Sequence, residues 1–211
     1  MPNNKIDFLT EIAKYYTTKL TEYGETSRGV DWKSEAGQLL RFVQLCKIFD
    51  TANHFSINDL GCGYGALFDF IVNKYDGLSY LGVDVSEGMI QAAERRYKDR
   101  PQARFVLSNE PSQVADFGVA SGIFNVRMGR SNEEWQSYIE ATLEVLDRTS
   151  RLGFAFNCLT CYADKDKIRD HLYYANPCAL FDLCKRRFSR NVALLHDYGL
   201  HEFTILVRKQ V

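Results

Sequence analysis

The sequence predicts an α/β fold: a doubly wound, mostly parallel sheet of seven strands that ends in an antiparallel hairpin, with a helical N-terminal segment over it as a lid. Three observations carry this. Short β-rich runs alternate with helical patterns between residues 55 and 159, the signature of βαβ units. Near the end, "NVALLHDY" and "HEFTILVRK" are separated only by "GL", too little for a parallel crossover, so they are antiparallel neighbours. Directly after the first β-rich run, "NDLGCGYGAL" (58–67) sets glycine at every other position, stripping side chains from a backbone that a ligand could approach.

Each element has its own reason. Phe8, Ile12, Tyr16 and Leu20 recur every fourth residue and mark an amphipathic helix that stops near Gly24. After the loop "YGETSRGVDW", a second helix runs from Ser34 with Leu39, Phe42, Val43, Cys46 and Phe49 on one stripe, capped by Asp31 or Ser34. Then come strand "FSINDL", a helix over 66–75, strand "SYLGVDV" and a helix over 87–98. "ARFVLS" and "DFGVASGIF" read as the third and fourth strands, "NEEWQSYIEATLEVLDR" as a helix, and "RLGFAFNCL" as the fifth strand. A helix over 177–188 precedes the closing hairpin. No repeat or Pro- or Ser-rich linker divides the chain, so residues 1–52 are read as the lid and 53–211 as the ligand-binding domain of one structural unit.

Composition narrows the function. With 211 residues, 45% apolar and 25% charged, the chain is an ordinary globular protein with enough length for a real core. Its net charge of −1 gives no general attraction for polyanions. The clusters Arg95, Arg96, Lys98 and Lys185, Arg186, Arg187, Arg190 fall near helix ends, where cations suit the dipole and solvent. No apolar run is long enough for a membrane span and "MPNNKIDFLTE" lacks a signal-peptide core, which sets the expectation of a cytoplasmic protein with reduced cysteines. Cys158 and Cys161 form a CxxC, but Cys178 and Cys184 do not make a second close pair, so no metal site is expected.

The glycine loop must then choose its ligand. A P-loop needs Lys and then Ser or Thr after its last glycine; Ala66 and Leu67 stand there instead. A dinucleotide loop fits better, because Gly61, Gly63 and Ala66 satisfy GxGxxG/A, and Asp84 sits at the end of the next strand, where an acid holds ribose hydroxyls. Asp59, however, lies just before the loop, awkward beside a pyrophosphate but suited to a ligand carrying an ammonium group.

With that acid, Gly61, Gly63, Gly65 and the closing hairpin, the chain resembles the class I S-adenosylmethionine-dependent methyltransferases from about Asn53 to Lys209, with a Rossmann-like sheet whose seventh strand is reversed. Over its whole length, "RGVDW" and "LLHDYGLHEFTI" included, it is similar to small stand-alone bacterial methyltransferases. The resemblance implies S-adenosylmethionine as cofactor, with the glycine turn and Asp59 at its methionine part, Asp84 on its ribose, and Val85 and Met89 on its adenine. It also implies Asn109 or Glu110 at the adenine amino group, and Ser121 and Gly122 beside the methionine and the transferred methyl.

The resemblance further implies methyl transfer by in-line displacement to an O or N nucleophile. For an open α/β sheet the acceptor pocket lies beyond the strands' carboxyl ends, near Asn125, Asn157 and Tyr162, with Tyr16, Arg28, Trp32 and Arg41 brought by the lid. His196, followed by Asp197 and Tyr198, is a candidate base, Tyr198 is a second catalytic candidate, and Tyr173 and Tyr174 are candidate substrate contacts. The segment "GIFNVR" lacks the prolines of adenine methylases, and Pro177-Cys178 comes too late for a cytosine nucleophile, so a small-molecule acceptor is expected over nucleic acid or protein. A nicotinamide-dependent oxidoreductase and a non-catalytic binding protein stand as alternatives, and no oligomeric state follows.

Overall fold

The structure, a computed structural model, describes residues 3–49 and 54–210, with side chains from Phe8 onward. The boundary expected at 52/53 lies outside the described residues. Two helices come first, α1 (Asn3–Tyr23) and α2 (Glu35–Cys46), joined by a 3-10 turn over Ser27–Val30. The alternation follows as β1 (Phe55–Leu60), α3 (Ala66–Ile71), β2 (Leu78–Asp84), α4 (Glu87–Arg96), β3 (Ala103–Leu107), β4 (Ala115–Ala120), α5 (Asn132–Arg148) and β5 (Ser150–Leu159). After a loop come α6 (Pro177–Arg187), β6 (Asn191–Leu195) and β7 (Glu202–Arg208).

The strands form one sheet in the order β3-β2-β1-β4-β5-β7-β6. The winding direction reverses between β1 and β4, which opens a crevice at their carboxyl ends. β7 inserts between β5 and β6 and is antiparallel to both. Being reversed, it begins where the parallel strands end: Glu202 lies opposite Leu159, the last residue of β5. The loop before β7 therefore reaches the same edge as the crevice.

Both faces of the sheet are covered, which explains strands apolar on both sides. Phe42, Leu45, Phe49, Phe68 and Tyr97 pack with Ile57 and Phe105 on one face. On the other, Trp135, Ile139 and Leu143 of α5 pack with Phe154, Phe156 and Phe203. Each such side chain contributes about 1.5–3 kcal/mol through burial. Local signals set the helix starts: Ser34 accepts from Gly37 N at α2, and Ser131 with Glu134 forms a capping box at α5.

Several elements are shorter than the sequence predicts. α3 ends at Ile71 rather than Tyr75, because Lys74 N already bonds Ile71 O and the chain turns toward Gly77. β4 stops at Ala120 rather than Phe124: Gly122 takes φ 78° and Asn125 N bonds Gly122 O. The hairpin joins through residues 196–201, not "GL" alone, since β6 ends at Leu195. The expected stripe of α2 is only half buried; Phe42 and Cys46 face the core, whereas Leu39 and Val43 are exposed.

Candidate active site

The glycine turn is built by β1 and β2 together. Gly61 N and Cys62 N both donate to Val83 O, at 2.8 and 3.1 Å, pinning the turn to the neighbouring strand. Gly61 has φ 77°, and a Cβ there would stand 2.2 Å from Ile123 Cγ2. Gly63 N donates to Asp84 Oδ2 at 2.9 Å, and Ser86 N donates to Asp84 Oδ1 at 2.8 Å. The Asp84 carboxylate is thus aimed by backbone on both oxygens, which leaves their other lone pairs for a ligand. The helix cap itself is Ser86, whose Oγ accepts from Met89 N. Gly65 belongs to a different structure: its carbonyl accepts from Tyr97 OH at 2.9 Å, and its missing Cβ makes room for Tyr97 and Phe105.

Above this turn lies a cavity of about 1020 Å³ with its open mouth counted. It borders Gly61, Gly63, Asp84, Val85, Met89, Asn109, Glu110, Ser121 and Gly122, nine of the eleven expected cofactor residues, along with Ser108. Leu9, Ile12 and Tyr16 of α1 roof it, and Tyr138 and Thr142 of α5 close its far side. α1 is fastened at both ends of this roof: Phe8 packs edge-on against Trp135 of α5, and Thr17 Oγ1 lies 2.9 Å from Ser86 Oγ. Of the N-terminal segment, α1 and the 3-10 turn stand over the crevice, while α2 packs into the core of one sheet face.

Asp59 borders a smaller chamber that shares Gly61, Gly63, Ser121, Val30 and Trp32 with the main cavity. Tyr80 OH donates to its Oδ2, while its Oδ1 is buried with no partner, as is Ser121 Oγ. Burial pushes the Asp59 carboxyl up to about 7, Tyr80's hydrogen bond opposing and the nearby Asp84 adding to the rise. An unpaired buried carboxylate oxygen beside bare main chain is costly by itself and suits a positively charged ligand. Gln38 also borders this chamber. It comes from α2, where the sequence points only to Arg41, and that toward the acceptor pocket.

A second cavity, about 1170 Å³ with its mouth counted, adjoins the first. The two share Tyr16, Val30, Trp32, Gly122 and Val126, which form a neck between them. Trp32 lies over Gly122, where a Cβ would stand 2.5 Å from its ring, and the Arg41 guanidinium stacks on the same indole at 3.9 Å. Burial, with Asp31, Tyr15 and Asp84 nearby, holds the Tyr16 phenol well above its ordinary pKa. Asn125 faces this cavity while its Oδ1 accepts from Leu159 N. Tyr174 faces it too, whereas Tyr173 packs beside the core.

Several expected residues stand elsewhere. Asn157 is fully buried below Gly122, whose N–H its Oδ1 accepts at 2.7 Å, so it braces the neck from beneath. Tyr162 is an exposed ring near His196, and neither borders the three cavities described. Tyr198 bonds Thr204 Oγ1, with its phenol pKa raised by burial. Arg28 lies over the Tyr23 ring. Arg41 does border the second cavity, but its Nε and Nη2 are held by both oxygens of Glu202 at 2.6 and 2.7 Å. The histidine at this cavity is His201, with Nε2 3.7 Å from Asp164 Oδ2. The signal for it was the reversed direction of β7, which brings the residues just before that strand to the carboxyl edge. Cys158 and Cys184 are buried, and Cys161 and Cys178 are exposed.

A family model described as a methyltransferase domain matches residues 58–151. A protein of Mycobacterium tuberculosis (strain ATCC 25618 / H37Rv) named as a methyltransferase, Rv1506c, is 58% identical over 163 residues, covering 77% of this chain and 98% of that one. A malonyl-[acyl-carrier protein] O-methyltransferase of Paenibacillus sp. (strain JDR-2) is 26% identical over 97 residues, 46% of this chain and 35% of its own. Among solved structures, the DhpI-SAH complex superposes with a TM-score of 0.65 at 12% identity, covering 95% of this chain and 96% of that one. Magnesium protoporphyrin IX methyltransferase from Synechocystis PCC 6803 with bound SAM gives 0.65 at 14% identity, covering 95% and 97%. The structures speak for the fold and the mycobacterial relative for the family, which displaces the oxidoreductase and non-catalytic readings. By that relative and by this seven-stranded sheet, the chain belongs to the methyltransferases of the class I fold.

Proposed function

We propose that this methyltransferase uses S-adenosylmethionine, held in the first cavity and its side chamber, and methylates a small-molecule O or N nucleophile in the second cavity. The observation that carries the reading is the shared neck: one cavity ends in a glycine turn with an orphaned acid, the other in polar side chains, and they meet at Tyr16, Trp32 and Gly122. When bound, the sulfonium supplies an electrophilic methyl and leaves as a neutral thioether. The chain's own residues then have separate tasks. Asp84, already aimed by Gly63 and Ser86, accepts the ribose hydroxyls, and Asp59 Oδ1 faces the ammonium. Val85 and Met89 pack on the purine. Glu110's carboxylate is drawn to Arg148, which leaves Asn109 to meet the adenine amino group.

Alignment and exclusion of water do most of the work in such a displacement. α1 supplies the roof over the cofactor, and Trp32, braced by Arg41, walls the neck. A hydroxyl acceptor needs a group to take its proton, and His201, steadied by Asp164, is the side chain at hand in that cavity. The small-molecule reading rests on the concave form of the second cavity, whose walls include Trp32, Leu172 and Tyr174.

Calorimetry with S-adenosylhomocysteine and with NAD tests the cofactor. S-adenosylhomocysteine binds and NAD does not, and Asp84→Ala weakens the former by about a hundredfold, the loss of two charge-assisted ribose hydrogen bonds. Tight binding of NAD, or indifference to Asp84→Ala, overturns the reading.

A further inference from the structure

The second cavity has a charge pattern that methyl transfer alone does not require. It is bordered by Lys33, Arg41, Lys167 and Arg169 against the acids Asp31 and Glu202. Both acids are already committed. Glu202, almost fully buried, is held by Arg41 through two bonds. Asp31 accepts from Tyr15 OH at 2.7 Å and pairs with Lys19 Nζ at 2.9 Å. What remains facing the space is cationic. Lys33 has no carboxylate within ion-pair distance among the described residues. Arg169 spends Nη1 on two backbone carbonyls, of Asp166 and Ile168, which anchors the guanidinium without neutralising it. Among the described residues Lys167 pairs only with Asp166, both side chains largely in solvent, an attachment that is weak and readily exchanged. Asp164 touches His201 from outside the lining.

We infer that the acceptor carries an anionic oxygen group, a carboxylate or a phosphate monoester, seated by Lys33, Lys167 and Arg169 while its nucleophile lies toward the Trp32–Gly122 neck. The inference rests on the two-cavity reading above and adds the substrate's charge to it. The three cations come from two segments distant in sequence, one before α2 and two from the stretch between β5 and α6, and they converge on one concave space walled by Trp32 and Tyr174. A guanidinium with free donors beside ammonium groups suits planar or tetrahedral oxyanions, and the aromatic walls suit an apolar body attached to them.

Protein saturated with S-adenosylhomocysteine is titrated with benzoate, phenyl phosphate and neutral benzamide, in the wild type and in a Lys33→Gln/Lys167→Gln/Arg169→Gln variant. One or both anions bind the wild type, benzamide does not, and the variant binds them at least about tenfold more weakly with unchanged affinity for S-adenosylhomocysteine. The stronger of the two anions tells a carboxylate seat from a phosphate seat. If the triple variant misfolds and loses S-adenosylhomocysteine, Lys33→Glu alone repeats the test, since Lys33 has no ion pair to break. Equal binding of benzamide, no binding of either anion, or an unchanged affinity in the variant overturns the inference. Failure of the wild type to bind S-adenosylhomocysteine instead overturns the cofactor reading, and the anion titration is then read on the unliganded protein.

Discussion

The two cavities are built from opposite materials. Over β1 and β2 the surface is main chain and short acids: Gly61, Gly63, Asp59 and Asp84 lie within twenty-six residues, and backbone hydrogen bonds aim Asp84 while Tyr80 OH holds Asp59. Beyond β5 and β7 the surface is long side chains from distant segments, Arg41 of α2, Lys33 before it, Arg169 of the 160–176 loop, and His201 and Glu202 at the start of β7. The first is held by the strands themselves. The second is held by side-chain pairs, chiefly Arg41 with Glu202, so it can change its ligand while the first stays as it is.

Breaking that pair gives the largest expected effect. Glu202 is 1% exposed and Arg41 12%, so Arg41→Ala leaves a buried carboxylate without its partner and also strips the cation from the Trp32 face. Removing one partner of a buried ion pair costs about 3–5 kcal/mol. Denaturant unfolding should show that loss, and Arg41→Met with Glu202→Gln should recover most of it. An Arg41→Ala protein as stable as the wild type would mean that the second cavity is not held together by this pair.

The same contrast decides what was legible in the sequence. The sheet order and the cofactor end follow from local patterns: alternation sets the βαβ units, and an acid, three spaced glycines and a second acid one strand later can be read along the chain. The shared spacing places Gly65 in the ligand turn; its partners in the structure, Tyr97 and Phe105, lie on α4's exit and on β3, which spacing cannot show. The sequence points to His196 because Asp197 and Tyr198 follow it. Lateral position separates the two histidines: Glu202 faces Leu159 across β7 and β5, which sets residue 201 beside the second cavity, whereas His196 follows the outermost strand, β6, next to Tyr162. Asn157 illustrates the same limit, since its Oδ1 accepts from Gly122 N–H, a backbone contact that spacing cannot show.

His201 is the next way to sharpen the comparison. With a hydroxyl acceptor, His201→Gln should lower kcat about a hundredfold, the lower end for loss of a general base, with S-adenosylhomocysteine affinity unchanged. His196→Gln should leave kcat within about twofold, as a surface substitution away from both cavities does. Equal losses would place the base elsewhere. At the other cavity, Gly61→Ala combines a left-handed φ of 77° with a Cβ 2.2 Å from Ile123, so stability falls by about 1–3 kcal/mol and cofactor affinity falls with it. Gly199, φ 73° with nothing within 4 Å of a Cβ, is the matched control; alanine there costs only the backbone strain, about 1 kcal/mol.

The smallest effect is the one that isolates Asp59. Its carboxyl titrates near 7 in the folded protein and at its ordinary 3.8 when unfolded, because burial disfavours the charge. Folding therefore takes up a proton between those values, and stability from this group is fully present below 3.8 and is lost as pH rises through about 7. Ligand binding runs the other way. An ammonium needs the carboxylate, so affinity for S-adenosylhomocysteine should fall about tenfold from pH 8 to pH 6, in proportion to the ionised fraction. Asp59→Asn should flatten both profiles, leaving a protein more stable at pH 8 that binds the ligand weakly at every pH. If the wild-type affinity is level across that range while Asp59→Asn binds weakly throughout, the carboxyl is already ionised at pH 6, and the cofactor end would have to compensate the buried charge with the main chain alone.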